Sequence, residues 1–274
     1  WAVDENNVWA VGDNNAILKT SNGGQTWVRA EVPACSSNSN LMAISIVNKT
    51  NIWISGSSGT LYNSPDSGIS WKLFDSTFFQ SSNLQGVWAV SPEKVYVVGQ
   101  AQKVNRGYIS YTLDGGATWK TLTPAKDYNR NQWIGVTSSG NTIVIYGSKA
   151  HYIVSTDSGT TWKNDTVPGT GGIGGADINH LIMLNPQTWW GAFDNDQIFI
   201  TTNGGTSWTK QESGQGGSYL VGIDTWDGKL AIAVGAPLSM PPKSPIIKTN
   251  NQGALWVTKY TTKSILWKVS FIKD

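Results

Sequence analysis

The stretch TSNGGQTW, residues 20–27, recurs in altered form five more times along the chain. The other copies are SPDSGISW (64–71), TLDGGATW (112–119), STDSGTTW (155–162), TTNGGTSW (201–208) and TNNQGALW (249–256). Their last residues follow at steps of 44, 48, 43, 46 and 48 and are Trp27, Trp71, Trp119, Trp162, Trp208 and Trp256. A period of this length indicates one supersecondary unit repeated through the whole chain.

Each unit of the repeat reads as four short strands separated by turns. Around the second copy these are LMAISIVN (41–48), NIWISGSS (51–58), GTLYNS (59–64) and WKLF (71–74). Short β-branched and aromatic runs between Gly, Ser and Asn clusters are typical of antiparallel strands, and no segment keeps a helical period over three turns. The pattern therefore predicts a four-stranded antiparallel sheet for each unit.

The repeated octapeptide, called the signature turn below, has the composition of a tight hairpin loop. An Asp or Asn can bond its side chain to backbone amides two or three residues on, and a glycine two places later tolerates a positive φ. The Ser or Thr before the tryptophan offers a further local bond, which Leu255 removes in the sixth copy, so we expect that hairpin to be looser. The residues concerned are Asn22, Asp66, Asp114, Asp157, Asn203 and Asn251, with Gly24, Gly68, Gly116, Gly159, Gly205 and Gly253.

These turns resemble the Asp-box, or BNR repeat, of sialidase-like β-propellers. The fuller pattern VWAVGDNNAILKTSNGGQTW (8–27) is similar to the repeat of bacterial photosystem-assembly-factor-like propellers. The resemblance covers essentially the whole chain and implies an all-β propeller, but one fold hosts many unrelated activities.

We expect a single domain over 1–274 with six blades, and a seventh blade as the alternative. The N-terminal WAVDENNVWAVG (1–12) lacks the start of an innermost strand, while LWKVSFIKD (266–274) reads as a spare one. Closure by exchange, with 266–274 completing the first blade, would hide both sheet edges. In the alternative, 266–274 begins a seventh blade beyond this sequence. The predicted blade units are 1–40, 41–83, 84–132, 133–178, 179–218 and 219–265.

The composition restricts the class of partner. A net charge of +2 with 14% charged residues gives no basic footprint for nucleic acid, and no apolar run is long enough for a membrane span. A surface rich in Asn, Ser, Thr and Gly favours an extracytoplasmic place: secreted, periplasmic or at the cell surface. We predict no cofactor and no metal, because the two histidines, His151 and His180, lie in different units without ligand spacing.

The sialidase resemblance can be tested on the arginines. Sialidases are expected to clamp the substrate carboxylate with three arginines, because the planar guanidinium binds it bidentately. This chain has three arginines in total, and Arg29 follows a signature tryptophan, which places it on an outermost strand. Arg106 and Arg130 alone do not make the clamp, so we predict no sialidase activity and no enzyme. A paired-carboxylate glycosidase stays open, with loop candidates Asp127, Asp165, Asp177 and Glu212.

Two further motifs are interpreted as loops. GTGGIG (169–174) matches a dinucleotide-binding fingerprint, but it lacks the strand before it and the helix after it that this site needs. DNDQ (194–197) is too short for a calcium loop and reads as a tight turn.

The strongest candidate for recognition is a set of aromatic and cationic residues on three consecutive loops that share one face. Exposed aromatics and arginines are typical interface anchors. The alternative is that the phenylalanines fill the gap between blades and the cations are solvated. The predicted patch, which Phe74 and Tyr108 adjoin, consists of Phe78, Phe79, Lys103, Arg106, Lys126, Tyr128 and Arg130.

The sequence thus favours a non-catalytic binding or scaffold propeller that presents one loop face to a protein or a cell-surface polymer. Carbohydrate binding or hydrolysis in the sialidase-like manner is the first alternative, and a structural repeat domain of a larger assembly is the second. The plant and cyanobacterial members of the assembly-factor family use an arginine-rich patch, and the arginine-poor composition of this chain speaks against a photosystem role.

Overall fold

A computed structural model gives the structure of the protein. It describes residues 1–33, 39–74, 76–79, 82–101, 106–124, 132–170, 175–214, 218–237 and 244–271. These residues form two compact units, one within residues 1–136 and one within residues 137–271.

The first unit contains three antiparallel sheets in which consecutive strands pair. The first sheet has three strands: β1 (Val8–Gly12), β2 (Ala16–Thr20) and β3 (Val28–Arg29). The second consists of β4 (Leu41–Val47), β5 (Asn51–Gly56), β6 (Leu61–Ser64) and β7 (Lys72–Leu73). The third consists of β8 (Ser82–Ala89), β9 (Val95–Ala101), β10 (Arg106–Thr112) and β11 (Lys120–Thr121). A single helical turn, α1 (Ser76–Phe79), lies between the second and third sheets in sequence.

The second unit continues the same topology in three four-stranded sheets, and the division between the units falls within β12. The fourth sheet is β12 (Trp133–Ser139), β13 (Thr142–Gly147), β14 (His151–Ser155) and β15 (Lys163–Thr166). The fifth is β16 (Ile178–Met183), β17 (Trp189–Phe193), β18 (Gln197–Thr201) and β19 (Thr209–Glu212). The sixth is β20 (Ser218–Thr225), β21 (Ala231–Pro237), β22 (Ser244–Thr249) and β23 (Val257–Thr262).

The predicted fold class is confirmed. The chain is all-β, and its six antiparallel sheets are the six blades of a β-propeller fold. Among the described residues, no helix has the length and apolarity that a membrane span requires. The predicted single domain over 1–274 stays a prediction.

Apolar side chains between successive sheets form the core of each unit. In the first unit, Trp53 and Leu61 of the second sheet pack with Leu84 and Val97 of the third. In the second unit, Trp190 of the fifth sheet packs with Ile223 of the sixth. These side chains are at most 1% exposed, so the burial of their apolar surface stabilises the stacking of sheets.

The inner strands repeat one irregularity. Register shifts interrupt β4, β8, β16 and β20 near their first residues. In the second sheet the shift brings the carbonyl oxygen of Asn40 within 2.6 Å of where a Cβ on Gly56 would stand. Only glycine fits such a close backbone approach, which explains the Gly that closes this second strand.

The N-terminus behaves as the remainder of an innermost strand, as predicted. Ala2 forms an isolated bridge with Val8, and the amide of Trp9 donates to the carbonyl of Trp1 at 2.8 Å. The predicted closing strand is not seen as a strand in its described part, residues 266–271, and the first sheet has three strands. Completion of the first blade by the chain end therefore stays a prediction.

Candidate functional site

The six signature turns join the last two strands of each sheet, which correspond to the third and fourth strands of a complete blade, and they share one hydrogen-bond pattern. The Asp or Asn side-chain oxygen accepts the backbone N–H four residues later, at 2.8 to 3.0 Å, in every copy. The glycine that follows two places after it has φ between 82° and 88°. The positive φ at the glycine agrees with the expected turn, whereas the shared side-chain bond reaches the amide four residues on instead of the expected two or three.

A hydroxyl that the sequence analysis did not single out completes each turn. The last residue of the third strand accepts the glycine amide on its side-chain oxygen, at 2.7 to 3.1 Å. The signal was present in the sequence, because a Ser or Thr precedes the Asp or Asn by two residues in all six copies. These residues are Thr20, Ser64, Thr112, Ser155, Thr201 and Thr249.

The sixth turn lacks one bond that the other five have. Leu255 has no hydroxyl, so at this position only the backbone amide bonds to the Asn251 side chain, at 3.0 Å. In the second turn, by comparison, the Ser70 hydroxyl also donates to the second carboxylate oxygen of Asp66, at 2.6 Å. The local difference agrees in direction with the looser sixth hairpin that we expected.

Several of the signature indoles pack against the preceding sheet. Trp71 meets Trp9 with ring centroids 6.1 Å apart, Trp119 meets Trp53 at 6.1 Å, and Trp256 meets Trp190 at 6.2 Å. Trp27 differs, since 44% of its surface is exposed.

The three signature aspartates are structural acids. Hydrogen bonds from the Thr118 hydroxyl and amide lower the pKa of Asp114 to about 2, and the equivalent bonds from Thr161 lower the pKa of Asp157 to about 2. Bonds from Ser70 lower the pKa of Asp66 in the same way. A carboxylate stabilised in its charged form by such bonds is a poor proton donor at neutral pH.

The predicted patch is only partly a surface. Phe79 is 1% exposed and packs edge-on against Trp119, with centroids 5.3 Å apart, so its assignment to a contact surface is corrected. Phe74 is 7% exposed and stacks on Trp53 at 5.2 Å. For these two residues the alternative, that phenylalanines fill the gap between blades, is correct.

Phe78 and Arg106 do lie at the surface of the first unit. Phe78 is 41% exposed and rests edge-on against Phe79, while Phe79 contacts Tyr108 of β10 at 6.3 Å. Arg106 is exposed and stands two residues before Tyr108, so both share one face of the strand. Phe79 and Tyr108 thus link Phe78 to the strand that carries Arg106. The other patch residues, Lys103, Lys126, Tyr128 and Arg130, lie outside the described residues.

The three candidate carboxylates that lie in the described residues have separate surroundings. Asp165 of β15 forms an ion pair with Lys163 at 2.8 Å, Glu212 is exposed at the end of β19, and Asp127 lies outside the described residues. Asp177 stands instead beside Asp194, which belongs to the DNDQ turn.

Asp177 and Asp194 hold a polar network at the start of the fifth sheet. The Lys149 amide donates to Asp177 at 2.9 Å, and the Asp177 amide donates to the Asp194 carboxylate at 3.2 Å. The Asn179 side chain joins Asp194, at 2.9 Å, to the Leu220 carbonyl of the sixth sheet, at 3.0 Å. Burial raises the pKa of Asp177 and the Asp194 charge adds to that rise, while the Lys149 amide opposes it. The network ties two sheets together, and Asn179 and Lys149 carried no sequence signal that would have found them.

The two histidines have different surroundings. His180 Nδ1 accepts the Ile223 amide at 3.1 Å, and desolvation lowers its pKa well below the usual value. Desolvation also lowers the pKa of His151. Across the described ranges, no three His, Cys, Asp or Glu side chains are grouped as a metal would need.

The DNDQ segment is a tight turn, as interpreted. Asn195 and Asp196 have φ of 58° and 59° and connect β17 directly to β18. Of GTGGIG, residues 171–174 lie outside the described residues.

Comparisons with known proteins agree with this repeat. Residues 29–108 match the sequence profile of a family described as photosynthesis system II assembly factor YCF48. The solved structure of YCF48 from Cyanidioschyzon merolae matches the whole chain, 100%, and 88% of its own length, with a TM-score of 0.75 and 16% identity. The chain has a BNR-like β-propeller fold.

A second YCF48 structure, solved bound to a D1 peptide, matches 93% of this propeller and 79% of its own chain, with a TM-score of 0.67 and 18% identity. Among curated proteins, the xyloglucanase Xgh74A of Acetivibrio thermocellus is 23% identical in an alignment 265 residues long that covers 75% of this chain. This propeller spans 31% of the length of that enzyme. At sequence identities this low, the two structural matches show a shared fold and nothing more.

Proposed function

We propose that this propeller is a non-catalytic binding module that holds a segment of a partner protein on loops at one edge of its first unit. The likeness to a YCF48 structure that carries a bound D1 peptide supports the proposal, because it gives a propeller of the same fold with a peptide as ligand. Loops held by a rigid sheet scaffold are a common place for recognition.

The observation that carries the proposal is that Phe78 and Arg106 are both exposed, on elements that the ring contacts of Phe79 and Tyr108 link. Phe78 stands on a buried support, because Phe79 fixes the helical turn α1 against Trp119 and Tyr108. A preordered aromatic loses little conformational freedom on binding, and Arg next to an aromatic is a typical anchor of protein interfaces. The partner segment that fits best has an apolar side chain next to a carboxylate.

The ion pair and the hydrogen bonds of the candidate carboxylates support a non-catalytic function. Asp165 is paired with Lys163, and Asp177 and Asp194 accept backbone amides. A glycosidase needs one carboxyl group as acid and another as base or nucleophile across the scissile bond. In the described part of the chain, the close pair joins sheets through its bonds, which supports a structural task.

A peptide display library tests the proposal. We expect the protein to select sequences with an apolar residue near Asp or Glu. The double substitution F78S/R106A should lower the affinity for the best peptide by about a hundredfold, as loss of an interface anchor would. Lys120→Ala is the matched control, because Lys120 is an exposed cation on β11 of the same sheet.

Two outcomes would overturn this assignment. Selection of no consensus from the library is one. The other is a consensus peptide that binds F78S/R106A as tightly as it binds the parent protein and the control.

We propose in addition that the protein works outside the cytoplasm. The low charged fraction of 14% and the abundance of small polar residues support this place. Cell fractionation with an antibody against the chain would test it.

A further inference from the structure

A groove of about 320 Å³ opens in the second unit between the outermost strand of the fourth sheet and the signature turn of the fifth. This volume is at the lower end of the range of small-molecule sites. The residues that characterise the groove are Tyr152, Thr161, Trp162, Lys163, Asp165 and Thr206.

The repeat supplies an internal comparison for this groove. The residue three places after the signature tryptophan can be compared across the copies, and in the second sheet it is Phe74, which packs against the third sheet. Phe74 is buried on Trp53, and a Cβ placed on Gly116 of the next turn would lie 2.5 Å from its ring. The space between these two sheets is therefore filled. Across the six copies the residue is Ala30, Phe74, Leu122, Asp165, Gln211 and Lys259.

The fourth sheet carries an acid where the second carries an aromatic ring. Asp165 pairs with Tyr152 across β14 and β15, as Phe74 bonds to Leu61 across the second sheet. Tyr152 takes over the packing on the next turn, donating its hydroxyl to the Gly205 carbonyl at 3.0 Å. Asp165 lines the groove, and its side chain is 34% exposed and forms an ion pair with Lys163.

The groove combines an apolar wall with a polar rim. Trp162 lines it with a half-buried indole whose Nε1 is already bonded to the Gly159 carbonyl at 3.2 Å, so the ring is held in one orientation. Lys163 offers N–H donors and Asp165 offers acceptor oxygens on the same rim, and their charges cancel. The exposed Thr206 adds a hydroxyl from the fifth turn.

We propose that this groove binds a neutral saccharide. A sugar presents C–H groups on one face, which the negative face of an indole attracts, and hydroxyls at its edge, each both donor and acceptor. An ammonium and a carboxylate on one rim satisfy such hydroxyls without requiring a charged ligand. The site is independent of the patch formed by Phe78 and Arg106, which lies in the first unit.

Saturation-transfer NMR with maltotriose, cellotriose, xylotriose and chitotriose tests the assignment. We expect transfer to at least one of these trisaccharides, with affinity reduced about tenfold in Asp165→Leu and in Lys163→Ala by the loss of charge-assisted hydrogen bonds. Lys120→Ala, the equivalent position after Trp119, is the matched control and should bind as the parent does.

Circular dichroism melting of each variant separates loss of binding from loss of fold, and Lys163→Ala, truncating a side chain that is 74% exposed, keeps the test valid if Asp165→Leu misfolds. Absence of transfer to all four trisaccharides would overturn the assignment. Transfer that persists unchanged in folded Lys163→Ala would overturn it as well.

Discussion

At the residue scale, a single acid or amide organises each signature turn, and the first five copies differ in the charge of that residue. Asn22 and Asn203 accept the same backbone amide that Asp66, Asp114 and Asp157 accept. The amide copies donate to the neighbouring hydroxyl, whereas the acid copies accept from it. The bond to the backbone amide is the same in both cases. Because only a carboxyl group titrates, the aspartates add a pH dependence that the asparagines lack.

The double substitution D114N/D157N should make the thermal stability of the protein depend less on pH in the acid range. Both carboxyls have a pKa lowered from 3.8 to about 2, so the stability that they contribute is present above about pH 4 and is lost as the pH falls toward about 2. Thermal melts between these pH values should show a smaller fall in Tm for the variant than for the parent protein. Equal falls would mean that the two turns do not favour the charged carboxylates.

At the element scale, helical turn α1 places two adjacent phenylalanines in opposite environments. Phe79 points into the packing of the second and third sheets, and Phe78 stays 41% exposed. The two residues are chemically identical neighbours, so they form a matched pair for separating burial from surface recognition.

Phe79→Ala should lower the free energy of unfolding by about 3–5 kcal/mol, because it removes a buried ring and leaves a cavity. Phe78→Ala should change it by no more than about 1 kcal/mol, as most surface substitutions do. Urea unfolding of both variants measures the difference. Similar losses for the two would contradict the contrast in burial between these neighbours.

The sequence predicts the strands and turns better than it predicts the difference in burial between Phe78 and Phe79. The tryptophan period and the alternation of apolar runs with turns identified all the four-stranded sheets, because those signals are local and repeated sixfold. Phe79 and Phe78 look alike in sequence, and only contacts with Trp119 and Tyr108, far along the chain, decide which of them is buried. The bonds from Lys149 and Asn179 to Asp177 and Asp194 were missed for the same reason, since tertiary placement alone brings them together.

At the scale of the whole molecule, repetition makes each exception informative. Five turns carry a hydroxyl before the tryptophan and the sixth carries Leu255. One acid, Asp165, stands at the position that the buried Phe74 occupies in the second sheet. We connect Leu255 with a looser hairpin and Asp165 with recognition. A position that does not serve the common packing or turn structure can have another function. The family likeness, by contrast, rests on the features that do not vary.

The central claim is that six signature turns are equivalent parts of six sheets, and amide hydrogen exchange by NMR tests it most directly. The amides of Gly24, Gly68, Gly116, Gly159, Gly205 and Gly253 each donate to a Ser or Thr hydroxyl. All six should exchange at least about tenfold more slowly than free peptide amides, as bonded groups in folded structure do. Exchange at free-peptide rates in any of the first five, while the strands beside them remain protected, would contradict the account.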